Sequence, residues 1–139
     1  MNYVYITDLF DIEWKYKSKL SDDILLNYKF AVKLDAQCNL KITNVNHMIY
    51  LRVLNAGRNC GIDDEGIKNI NPEKLYATDN PKISHINHMT KLKELHAEWC
   101  CGIDDEGIKN IKIKILYAHG NSKITRKNLF YKLIDNLMF

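Results

Sequence analysis

CGIDDEGIKNI at residues 60–70 recurs letter for letter at residues 101–111, 41 positions further on. A block of that length copied without a change is no accident. The chain is an internal repeat, and its local motifs have to be read within that repeat. Outward from the block the register is strict. Leu-x-Ala stands at Leu34/Ala36, Leu54/Ala56, Leu75/Ala77, Leu95/Ala97 and Leu116/Ala118, in steps of 20, 21, 20 and 21 residues. Five positions after each leucine come Asn39, Asn59, Asn80, Cys100 and Asn121, and eight positions after come Ile42, Ile62, Ile83, Ile103 and Ile124. Three positions before it stand Ala31, Leu51, Pro72, Leu92 and Ile113. Helical arrays need a period of roughly 33 residues or more, so this period is too short for them. In a strand, residues two apart share a face, which sends each Leu and Ala into one core and turns the residue between them outward. The Asn then sits where the chain leaves the strand. Its amide can satisfy backbone groups of its own and adjacent units, which predicts a structural ladder of Asn39, Asn59, Asn80, Cys100 and Asn121.

The pattern Lxx-LxA-xxN-xxI, five times over residues 31–125, resembles the leucine-rich repeat family. CxxIDDxGI at residues 100–108 is similar to the cysteine-containing subclass of that family. The resemblance implies an α/β fold: a short right-handed solenoid with a parallel sheet on the concave face and short helices or loops on the convex face. It also implies a non-catalytic protein-interaction module, such as the substrate-recognising arm of a ubiquitin-ligase adaptor. Such an adaptor carries an F-box ahead of its repeats. LSDDILL at residues 20–26 is faintly similar to part of one, but the repeats begin too soon for a complete box. A reading from another class is a structural or assembly subunit that self-associates through its ends or a C-terminal helix.

Both flanks read as caps, because the end units of an array would otherwise expose their apolar layer. In residues 1–30, Tyr3, Ile6, Phe10 and Trp14 fall at near-helical spacing. Ser21, Asp22 and Asp23 then cap a short helix holding Ile24, Leu25 and Tyr28. In residues 126–139 the repeat breaks, with Lys127 at the position of Val45 and Ile86. There Leu129, Phe130, Leu133, Ile134 and Leu137 predict an amphipathic capping helix. Between the repeats, Asp63 and Asp104 are N-cap residues followed by acids in the first turn, where the positive end of a helix favours them.

Net charge is only +3, and the basic residues are nearly all lysine, the exceptions being Arg52, Arg58 and Arg126. That argues against a nucleic-acid partner, which usually recruits arginine. No apolar run approaches the roughly 20 residues that span a bilayer. The N-terminus lacks the form of a secretory signal, so the expected location is intracellular: the cytoplasm, or a host cell's cytoplasm for a viral chain. In a reducing compartment Cys38, Cys60, Cys100 and Cys101 are thiols. The lean toward Asn, Ile, Lys and Tyr is that of an AT-rich genome, as in some protists and large DNA viruses.

No cofactor, metal or catalytic residue is expected. Asp63, Asp64 and Glu65 lack the alternating oxygens of a calcium loop. His47 and His88, like Cys60 and Cys101, are equivalent residues two units apart, roughly 10 Å at the spacing of parallel strands. Zinc bonds of about 2.0–2.3 Å and disulfide Cα distances below about 7 Å exclude both pairs. His85, His96 and His119 stand in no nucleophile–base motif, and the glycines form no phosphate loop.

What remains is the exposed strand face. The outward columns are Asp35, Asn55, Tyr76, His96 and Tyr117; then Gln37, Gly57, Thr78, Glu98 and His119; then Cys38, Arg58, Asp79, Trp99 and Gly120. A soluble fold needs no aromatic residues there, and Tyr and Trp dominate binding hot spots. The candidate partner-binding residues are therefore Tyr76, Asp79, His96, Glu98, Trp99, Tyr117 and His119, toward the C-terminal three units. The partner would be a protein, whose identity the letters do not carry.

Overall fold

The computed structural model describes residues 6–125; Tyr3 and the helix expected over residues 126–139 lie outside them. Six strands line up in chain order as one open parallel sheet: β1 (Asp8–Leu9), β2 (Lys33–Asp35), β3 (Val53–Asn55), β4 (Lys74–Tyr76), β5 (Glu94–His96) and β6 (Ile115–Tyr117). Leu9, Leu34, Leu54, Leu75, Leu95 and Leu116 stand side by side across it. All but Leu116 are buried, and Leu116 packs half-buried against the core. Each strand ends soon after its leucine. Four positions beyond, the backbone turns left-handed at Cys38, Arg58, Asp79, Trp99 and Gly120, with φ of 59°, 50°, 58°, 56° and 73°. A non-glycine residue there costs on the order of 1 kcal/mol, so the turn is enforced by what surrounds it.

A parallel pair requires a return path behind the sheet. Here the return paths are tight turns; among the described residues α-helix occurs only at Trp14–Lys17 (α1) and Asp22–Leu25 (α2), with single 3-10 turns at Leu26–Tyr28, Glu65–Ile67 and Glu106–Ile108. The core lies between sheet and returns. Ile42, Val45, Met48 and Leu51 fill it in one unit, and Ile83, Ile86, Met89 and Leu92 fill it two units later. Gly66 and Gly107 are needed for this close stacking, because a Cβ on either would overlap the carbonyl oxygen of Thr43 or Ser84 in the unit before. The acids of the duplicated block divide the work. Asp63 and Asp104 accept from the N–H groups of Gly66 and Gly107 at 2.9 and 2.8 Å, closing their own turn. Asp64 and Asp105 reach the following unit, accepting from the hydroxyls of Ser84 and Thr125, each at 2.7 Å.

The ladder is real but shifted. Asn80 donates to the carbonyls of Ala56 and Ile62 at 2.7 and 3.0 Å and accepts from the N–H of Lys82 at 3.0 Å. Asn39 and Asn121 repeat that geometry. Asn59 and Cys100 do not belong to it. Both are exposed, and Cys60 and Cys101, one position later, occupy the buried sites. In these units the chain uses one more residue before turning inward, and the shorter thiol reaches one carbonyl where the amide reaches two. The Cys60 sulfur donates to the Ile42 carbonyl at 3.9 Å and accepts from the Ile62 N–H at 3.4 Å. Burial pushes both thiols up to about 11, despite hydrogen bonds that favour the thiolate.

The helical spacing of Ile6, Phe10 and Trp14 does not yield a helix through them. The Asp8 carboxylate accepts from the N–H groups of Phe10 and Asp11 at 2.8 and 3.3 Å, which bends the chain as it leaves β1, and α1 begins only at Trp14. Ser21 does cap α2, accepting from Ile24 N–H at 3.4 Å, though only Leu25 of that helix is buried. The N-terminal stretch thus follows the design of the repeats. Leu9 matches Leu34, Leu20 matches Ile62, Leu25 matches Ile67, and Asp22 accepts from the Thr43 hydroxyl at 2.5 Å as Asp64 does from Ser84. LSDDILL is the return path of this unit, with Leu20 and Leu25 in the common core.

Candidate functional site

On the sheet face turned away from the core, the column after each strand leucine brings three rings together. His96 lies between Tyr76 and Tyr117, with centroids 4.3 Å away on either side and interplanar angles of 26° and 21°. The register that aligns the leucines aligns these rings one residue later. Each such pair contributes about 0.5–1.5 kcal/mol beyond its buried area, so the row is stiff before anything binds. Phe10, one position after Leu9, reaches across from the N-terminal edge to within 6.1 Å of Tyr76.

Charged groups bracket the row. His96 Nε2 lies 2.8 Å from Glu94 Oε1, and its Nδ1 lies 3.9 Å from Glu98 Oε1. Lys74 Nζ sits 3.0 Å from the other Glu94 oxygen and 5.6 Å over the Tyr76 ring. Burial works to raise the Glu94 carboxyl, but hydrogen bonds from His96 and Lys74 outweigh it and hold it below the usual range. Thr78 donates its hydroxyl to Glu98. At the other end, α1 places Lys17 Nζ 2.6 Å from Asp35 and 5.6 Å over the Phe10 ring. That helix exists because eleven positions separate Leu9 from Leu20, against eight from Leu34 to Ile42. Asn55 donates to Gln37 at 2.8 Å between these two ends.

Of the expected binding residues, Tyr76, His96, Glu98 and Tyr117 come together. Trp99 and His119 form a second group, edge to face at 4.9 Å, with Trp99 half-exposed and lying against Gly120, where any side chain would collide with it. Asp79 joins neither; its carboxylate accepts from the Cys100 N–H at 3.3 Å, in the turn of the next unit. Phe10, Lys17, Lys74 and Glu94 were not among the expected residues. The last two were findable, since each directly precedes a strand leucine and shares the outward face. Beside Trp99 lies a shallow depression of about 460 Å³, bordered by Pro81, Cys100 and Lys123.

Among the described residues no three His, Cys, Asp or Glu side chains converge as a cation site, and no helix is long and apolar enough to cross a membrane. The face offers instead a stacked aromatic row flanked by the ion pairs Lys74–Glu94 and Lys17–Asp35. The chain matches no family model, no curated protein and no solved structure.

Proposed function

We propose that this chain is a non-catalytic protein-interaction module of the leucine-rich repeat type, a short solenoid that takes a protein partner on its open sheet face. The Tyr76–His96–Tyr117 row carries the reading. It presents large apolar area with polar edges at low conformational cost, which is the composition of binding hot spots. Lys74 and Glu94, and Lys17 and Asp35, are already paired within the face, so a partner need not strip water from those four as lone ions. The test is affinity capture from the native host, comparing the wild type with a variant in which Tyr76, His96 and Tyr117 are all alanine. The variant should keep its circular dichroism and lose the captured partner; capture that survives the triple change sinks the proposal.

A second reading, end-to-end self-association, draws on β6. Among the described residues it is the last strand, and Ile115 and Tyr117 are each 47% exposed on it. Light scattering over a concentration series separates the two. A dimer abolished by Ile115→Lys favours assembly.

A further inference from the structure

The flank of the array just ahead of the strands changes character along its length. Four positions before the strand leucines stand Phe30, Tyr50, Asn71, Lys91 and Lys112, and two positions before stand Val32, Arg52, Glu73, Lys93 and Lys114. At the C-terminal end, Lys91-Leu92-Lys93 and Lys112-Ile113-Lys114 repeat one pattern: the central residue is buried and both lysines are exposed. Each pair of lysines therefore shares the solvent side. The two triplets lie in adjacent units, with Lys114 N–H donating to the Lys93 carbonyl at 2.9 Å. That places the four lysines in a two-by-two arrangement of backbone positions, roughly 5 Å apart between units and roughly 7 Å apart within one. Lys93 has one loose contact, 3.9 Å to Glu73, and Lys91 and Lys112 enter no ion pair among the described residues. At the N-terminal end of the same flank, Phe30 and Tyr50 pair at 5.7 Å, with Tyr50 and Ile49 53% and 63% exposed.

We propose that this flank is a second interaction surface, distinct from the aromatic sheet face, and that it takes an acidic peptide segment in extended form. Carboxylates sit over Lys91 and Lys112, and an apolar side chain sits over Tyr50. Tyr50 and Lys91 belong to units two apart, a span of roughly 10 Å, or about three residues of extended chain. Acids and apolar group are thus separated by that interval. Lysine pairs with a carboxylate as a point charge, without the bidentate geometry of an arginine fork. The lysine arrangement is only two units wide, too short to follow a nucleic-acid backbone.

The experiment uses the full chain and fluorescence anisotropy with a labelled synthetic octapeptide: two leucines, a glycine and a serine, then four glutamates. A twelve-nucleotide oligothymidine and vesicles rich in phosphatidylserine serve as competing probes. The peptide should bind, with affinity that falls as salt rises and that drops at least about tenfold in the Lys91→Glu, Lys112→Glu double variant. Tyr50→Ser should weaken it further, while alanine at Tyr76, His96 and Tyr117 should leave it unchanged. Both lysines are exposed, and an unchanged circular dichroism spectrum will separate lost binding from lost folding. No binding, equal binding by the charge-reversed variant, or tighter binding of the oligonucleotide or the vesicles would overturn the proposal.

Discussion

The side-chain amide of Asn80 donates to the backbone carbonyl of Ala56 at 2.7 Å, from 24 positions further along the chain. The same amide group also donates to the Ile62 carbonyl, so one side chain ties its own turn to two points of the preceding unit. Asn80→Ala therefore strands two buried carbonyls and the N–H of Lys82, which should cost about 2–3 kcal/mol. In a domain of this size that lowers the melting temperature by several degrees. Lys82→Ala loses the bond from its ammonium to the Cys60 carbonyl, at a part-buried site, and should cost under about 1 kcal/mol. Asn59→Gly should be within about 0.5 kcal/mol of wild type, because Asn59 is exposed and its φ of 56° suits glycine. Thermal melts by circular dichroism decide it: a melting point for Asn59→Gly as low as that of Asn80→Ala would undo the ladder assignment.

The shift from Asn59 to Cys60 marks where the letters stop being sufficient. Counting from the strand leucine is sound for Leu, Ala and Ile, because these occupy the core in every unit but the last described one, where Leu116 and Ala118 pack half-buried against it. A turn, however, can take in an extra residue without disturbing those fixed points, and nothing in a constant offset reveals it. The buried thiol two positions before Ile62 was the available signal. The same holds at the N-terminus. Leu9 and Leu20 obey the repeat's chemistry, but the insertion that forms α1 breaks their spacing and hides the unit from any period. On the outer face, the columns holding Tyr76, His96 and Tyr117 were legible from strand alternation alone. Phe10 was not, because its place depends on a ring reaching across two intervening strands.

Gly107→Ala tests the tight stacking of the duplicated block. The added methyl meets the Ser84 carbonyl, which is backbone and has no rotamer by which to yield. Overpacking of that kind should cost about 2 kcal/mol or more. Glu106→Ala, on the neighbouring exposed residue, should be nearly neutral. Urea midpoints for the pair are the check, and equal midpoints would mean that the units can separate without penalty.

The four cysteines should divide by reactivity. Cys38 and Cys100 are exposed, whereas Cys60 and Cys101 are buried and their thiols are pushed up to about 11. Since the thiolate is the reacting form, two of the four should titrate quickly with a disulfide reagent at pH 8, and the others only on unfolding. The linkage has a matching sign. These two thiols stay protonated in the folded chain while an unfolded thiol ionises near pH 9, so stability should fall between pH 9 and about 11. Four equally fast thiols in the native protein would contradict the buried positions.

Acid tests the bracket around His96. Glu94 is held below the ordinary carboxylate value of 4.5: burial works against it, but the hydrogen bonds from His96 and Lys74 prevail. A depressed carboxyl contributes stability that is present above its unfolded value and is lost as pH falls through the folded one. The wild type should therefore lose melting temperature between pH 5 and pH 3 by more than Glu94→Gln, which has no charge to forfeit there. Near pH 7 the glutamine variant starts lower, because it has already lost the ionic contact to Lys74 at 3.0 Å and the carboxylate's hydrogen bond with His96 at 2.8 Å. Because the site is partly open to solvent, the gap should be modest, under about 1 kcal/mol. Its closure with acid is what identifies it. A gap that stays constant from pH 7 to pH 3 would assign the loss to packing of the side chain, and the Glu94 carboxylate would then have no electrostatic part in fixing the aromatic row.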